Sequence, residues 1–60
     1  MGVKLENAMQ AAGIDKKELA QAAGITQDAV RNYINGARCP RADILKRIAQ
    51  KLGVTMESLI

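Results

Sequence analysis

Gln27, Asp28, Arg31 and Asn32 gather two carboxamides, a carboxylate and a guanidinium in one short stretch of this chain. At 100° per residue these four and Asn35 fall on one side of a helix, while Thr26, Val30, Tyr33 and Ile34 cluster on the other. Their common chemistry is directional hydrogen bonding rather than bond making. Asn and Gln can bond adenine bidentately, Arg can do the same to guanine, and Asp can accept from N4 of cytosine. The plainer reading of the same side is a solvated polar surface, which most amphipathic helices carry.

Catalytic chemistry finds little to work with. There is no His, Cys39 has no base beside it in sequence, and no glycine-rich phosphate loop occurs. One cysteine without histidine cannot make a zinc site, so neither metal nor cofactor is expected. A chain of 60 residues forms one small domain, residues 1–60, with poor means of enclosing a substrate. An enzyme with a small-molecule substrate is therefore not expected. A lone cysteine forms no internal disulfide and suits a reducing compartment. No apolar run nears the ~20 residues that span a bilayer, nor does the N-terminus resemble a signal peptide. A cytoplasmic protein without a membrane partner is the expectation.

The charge pattern adds a preference for anions. Net charge is +3 and the isoelectric point about 9.4. Arg31, Arg38, Arg41, Lys46, Arg47 and Lys51 face a single acid, Asp43, over the stretch from Arg31 to Lys51. Such an imbalance fits a polyanionic partner, and it also fits a solvated basic surface.

Five helical segments must position these groups. The first, about Val3 to Ala12, repeats Leu5, Ala8, Met9 and Ala12 at the spacing of one buried stripe, and Gly13 ends it. Asp15 can cap the second, with Glu18 completing a capping-box pattern and Ile14 placed to staple onto Leu19. Leu19, Ala20 and Ala23 line its inner side, and Gly24 suits the turn that leads to Ile25. Ala20 stays small because two helix axes approach there.

Thr26 is placed to cap the third segment, which runs to about Asn35 before Asn35-Gly36 closes it. Ala37 to Pro40 reads as a loop, and Pro40 or Arg41 opens the fourth segment. Its stripe is Ile44, Leu45, Ile48, Ala49 and Leu52, and Gly53 stops it. Thr55 can cap a last short turn, Met56 to Leu59. With no Phe or Trp and only Tyr33 aromatic, the core must be aliphatic. Two helices joined by a tight glycine turn are the arrangement that sets a helix into a DNA major groove.

The spacing Leu19, Ala20, Ala23, Gly24, Ile25, Val30, Tyr33 resembles the Cro/lambda-repressor-like (Xre-type) helix-turn-helix family. Asn35-Gly36, Pro40 and Ala49-x-x-Leu52-Gly53-Val54-Thr55 agree in register, and the likeness extends from about Lys4 to Ile60 without a gap. It implies an all-α, five-helix domain with the helix-turn-helix at its second and third helices. Its partner is double-stranded DNA, and the recognition helix spans about 26–35. The family's base-contacting positions fall on Gln27, Asp28, Arg31 and Asn32. Its phosphate-gripping positions fall on Lys16, Asn35 and the basic loop through Arg38 and Arg41, with Lys4 a weaker candidate. Lys46, Arg47 and Lys51 are expected simply to solvate the fourth helix.

Three departures from the family pattern stand out. Lys16 occupies a position where the family usually has Gln, exchanging an amide for a point charge. Asp28 puts a negative charge on the side that would face DNA. It can read cytosine, favour the helix N-terminus, or pair with Arg31 or Lys16. Met9 and Ile34 stand where many members pair an Arg with a Glu; an apolar contact between them is the expected replacement.

The expected function is a sequence-specific transcription regulator, a phage or bacterial repressor of Cro-like kind, binding a palindromic operator as a homodimer. Both a whole Cro-like regulator and the DNA-binding part of a longer repressor fit this length. Val54, Met56, Leu59 and Ile60 offer an apolar patch for self-association, although Leu59 is better used to close the core. Cys39 reads as a small, half-buried loop residue. The alternative is a protein-interaction module that keeps the fold without reading bases, in an antitoxin-like or bridging role.

Overall fold

A computed structural model describes residues 2–60. The described residues form α1 (Gly2–Ala12), α2 (Lys16–Ala23), α3 (Gln27–Ile34) and α4 (Ala42–Leu52), followed by a single 3-10 turn, Glu57–Leu59. The fifth helical segment is thus only this short turn. It still packs on α1, because Leu59 is fully buried. Burying that leucine side chain contributes roughly 1.5–3 kcal/mol.

The core is aliphatic throughout: Leu5 and Met9 from α1, Leu19, Ala20 and Ala23 from α2, Val30 from α3, and Leu45, Ile48, Ala49 and Leu52 from α4 meet Leu59. Ala20 and Ala23 are small where α2 lies against its neighbours, α3 and α4. Ile14, Ile25, Tyr33, Ile34, Ile44 and Met56 pack around the margin. Ile14 sits directly before the cap of α2, the place from which a staple acts.

Local chemistry sets the helix ends. The Glu18 N–H donates to Asp15 Oδ1 at 2.7 Å, capping α2. The reciprocal half of the capping box is given up, because the Glu18 carboxylate turns to Lys51 Nζ at 3.2 Å. Gly24 ends α2 with φ 71° in the left-handed region. There its N–H donates to Gln21 O at 3.3 Å, and the Ile25 N–H reaches back to Ala20 O at 3.0 Å. This pairing satisfies carbonyls that the helix leaves open and turns the chain sharply. Thr26 Oγ1 then accepts from the Ala29 N–H at 3.1 Å and starts α3.

Of the two openings offered for α4, Arg41 holds: it is the N-cap before Ala42, and Pro40 stays in the loop. Three expectations from sequence change. Ala12 is exposed, not part of the buried stripe, as the helix ends there and the chain turns at Gly13. Cys39 is exposed because its loop runs outside the helices. Arg47 and Lys51 do more than solvate α4, since each reaches α2: Arg47 Nη1 lies 3.5 Å from Ala23 O, and Lys51 pairs with Glu18.

Met9 is 5% exposed, and Ile34 is half-buried against the same core. Neither side chain is turned out to solvent, as the apolar replacement requires.

Candidate nucleic-acid interface

α3 divides sharply between an inner and an outer side. Val30 is fully buried and Tyr33 and Ile34 are half-buried, which pins the helix down through its underside. Gln27, Asp28 and Arg31 are exposed, and Asn32 is half-buried at the edge of that outer side. The whole predicted base-reading set therefore belongs to one short helix, with three of its four members freely accessible. Short polar side chains on a rigid, packed helix keep their donors and acceptors in a fixed frame.

Within the set, Arg31 Nη2 lies 3.1 Å from Asp28 Oδ1, an ion pair one helical turn apart. Asp28 thus takes one of the three roles open to it from sequence, the pairing with Arg31. Its side chain remains 81% exposed and that of Arg31 62%. An exposed pair of this kind adds at most about 1 kcal/mol to stability, so its importance lies in where it holds the guanidinium.

The predicted phosphate-contacting residues are only partly brought together. Lys16 at the start of α2, Gln27 at the start of α3 and Asn35 at the end of α3 line one open groove. Met9, Ile14 and Ile34 contribute apolar lining to it. Lys17 borders the same groove, a position the sequence reading passed over although it adjoins Lys16. Glu6 and Asp15 also line it and temper the positive charge there.

Arg38 and Arg41 stand apart from that groove, in the loop between α3 and α4, and both are exposed. The loop is tied to α3 at its root: the Asn32 carbonyl accepts from the Ala37 N–H at 2.9 Å and from the Arg38 N–H at 3.3 Å. Arg41 Nε is 3.8 Å from Asp43 Oδ1, a loose surface pair. Lys4, the weaker candidate, is engaged elsewhere, with its Nζ donating to the Ile60 carbonyl at 2.7 Å.

The described residues contain no cluster of His, Cys, Asp and Glu arranged to hold a metal ion. No described helix is long and apolar enough to cross a membrane.

Comparison with protein-family models finds the helix-turn-helix family over residues 5–59, nearly the full chain. No individual curated protein matches it. The chain belongs to the Cro/lambda-repressor-like helix-turn-helix family, a family of DNA-binding regulators.

Proposed function

We propose that residues 1–60 act as one DNA-binding domain that reads a specific sequence with α3 in the major groove and thereby regulates transcription. The observation that carries this reading is the polarity of α3: its inner side is locked into the core by Val30, and its outer side presents Gln27, Asp28 and Arg31 to solvent. A helix fixed in this way can bring amide and guanidinium groups to base edges without first having to order its backbone.

In this reading Gln27, Arg31 and Asn32 contact bases, and Asp28 belongs to the same surface. Lys16, Asn35, Arg38 and Arg41 grip phosphates on either side, which fixes register and carries no sequence information. The start of α2 contributes backbone N–H groups beside Lys16, as helix N-termini do at phosphates.

Size argues for two copies. The domain measures 21 × 20 × 19 Å along its principal axes, less than the ~34 Å between half-sites one helical turn apart. One copy therefore serves one half-site, and a homodimer serves a palindromic operator. Of the apolar end segment, Ile60 at 65% and Val54 at 37% remain exposed for the association, whereas Met56 is half-buried and Leu59 is buried.

A second reading, an interaction module of the same fold, draws on Asp28, whose carboxylate repels phosphate. Selection of bound sites from random double-stranded DNA at moderate salt separates the two. A regulator enriches a palindromic site with half-sites about one helical turn apart. Recovery of unenriched DNA, or of none, sinks the regulator reading in favour of the module.

A further inference from the structure

Resting on the regulator reading, we propose that Asp28 is a positioning residue for Arg31, setting base specificity through it and touching no base itself. Three observations bear on this. Asp28 Oδ1 holds Arg31 Nη2 at 3.1 Å. Asp28 follows Gln27, the first residue of α3, in the first turn, where the helix dipole favours a carboxylate. Neither side chain has another partner among the hydrogen bonds and ion pairs of the described residues, so each is the other's only tether.

A guanidinium carries five N–H donors in a planar fork. One bond from Nη2 to a carboxylate leaves donors over for a guanine edge, where O6 and N7 accept two parallel bonds. A free arginine at this place has another choice, because phosphate oxygens flank every major groove and attract it regardless of sequence. The Asp28 carboxylate works against that choice twice. It anchors the guanidinium over the outer side of α3, and its charge raises the energy of any phosphate drawn close. Asp28 therefore weakens DNA binding in general and concentrates what remains on the base pair that Arg31 reads. Its negative charge, otherwise a defect on a DNA-facing surface, becomes the source of discrimination.

The test compares the wild-type chain with Asp28→Ala, Asp28→Asn, Arg31→Ala and the Asp28→Ala/Arg31→Ala pair. Each is titrated with the selected operator and with every single-base substitution of one half-site. Asp28→Ala should bind unrelated DNA severalfold more tightly. It should also lose roughly tenfold in preference at the base pair that Arg31→Ala affects, a fraction of the discrimination that a bidentate contact gives. Asp28→Asn, which retains an acceptor oxygen without the charge, should fall between. Once Arg31 is alanine, removal of Asp28 should change no base preference.

If Asp28→Ala alters preference at a different base pair, and still does so without Arg31, Asp28 reads a base directly and the inference is overturned. Unchanged preferences at every position overturn it equally. Failure of the parent reading looks different: the wild-type chain then selects no operator at all, and Asn32→Ala leaves binding to all DNA unaltered.

Discussion

Arg47 reaches from α4 across the helix-turn-helix corner to the Ala23 carbonyl, with Nη1 3.5 Å from the oxygen. This is the last residue of α2, where the carbonyls left open carry the negative end of the helix dipole. The cation thus sits directly over Gly24, and an added Cβ there would meet Arg47 Nη1 at 3.5 Å, an ordinary contact with the tip of a flexible side chain. Space is not what demands glycine at this position. The backbone is, with φ at 71°.

Gly24→Ala should accordingly lower stability by about 1–2 kcal/mol, the usual penalty for a Cβ in the left-handed region. In a domain this small, each kcal/mol corresponds to roughly 4–8 °C in Tm. Gly24→Asn should lose less, because Asn tolerates that conformation better. Thermal unfolding of both variants checks the order. Equal losses for the two would place the strain in the space beneath Arg47 after all.

Gly2 presents the opposite case. A Cβ at Gly2 would run into the backbone carbonyl of Ile34, so the first turn of α1 abuts the last residue of α3. Glycine to alanine within a helix ordinarily stabilises by about 0.5–1 kcal/mol. Here Gly2→Ala should destabilise by about 1 kcal/mol, since backbone cannot yield as a side-chain tip does. A rise in denaturation midpoint for this variant would mean that α1 does not approach α3 so closely.

The corner and the caps were legible in the sequence because their partners lie three to five positions apart. Asp15 with Glu18, Thr26 with Ala29 and Gly24 with its two carbonyls all follow from such spacings. The stripes of α2 and α4 were equally plain, and so was Leu59. What escaped depends on how distant segments dock. Arg47 on Ala23, Lys51 on Glu18 and Gly2 on Ile34 each join separate helices, and nothing local to either partner signals them. Lys17 was missed for a related reason: only the packed groove shows that it shares an opening with Lys16 and Gln27. The outward residues of α3 came from periodicity, whereas their tasks come from likeness to the family.

Lys51 and Glu18 form the second tie between α4 and α2, at 3.2 Å with side chains 36% and 51% exposed. Solvent screens a pair this open. A double-mutant cycle with Lys51→Ala and Glu18→Ala should give a coupling of about 0.2–1 kcal/mol that shrinks with added salt. Coupling well above that range, or insensitive to salt, would show the pair to be held away from water.

Met9 and Ile34 line one groove, at the two positions where the family resemblance implies an ion pair. With Met9 only 5% exposed, Met9→Arg alone forces a charge into the margin of the core and should cost about 3 kcal/mol, less what Glu6 or Asp15 on the same groove recovers. Adding Ile34→Glu should restore a substantial part of that loss, because the two charges then compensate one another. Urea denaturation of the singles and the pair measures the coupling. Strict additivity would place the two side chains too far apart to interact.

Asn32 and Arg41 separate base reading from phosphate contact on the proposed interface. Asn32 is half-buried on α3. Asn32→Ala should weaken binding to the selected operator by about 1–3 kcal/mol and leave unrelated DNA unaffected. Arg41 is exposed and only loosely paired with Asp43 at 3.8 Å, so it is free to meet a phosphate. Arg41→Ala should weaken binding to all sequences alike and reduce the slope of log K against log salt by about one, as one fewer counterion is released. Titrations at several salt concentrations decide the matter. Should both substitutions leave every DNA bound as before, α3 and its following loop do not form the DNA-binding surface.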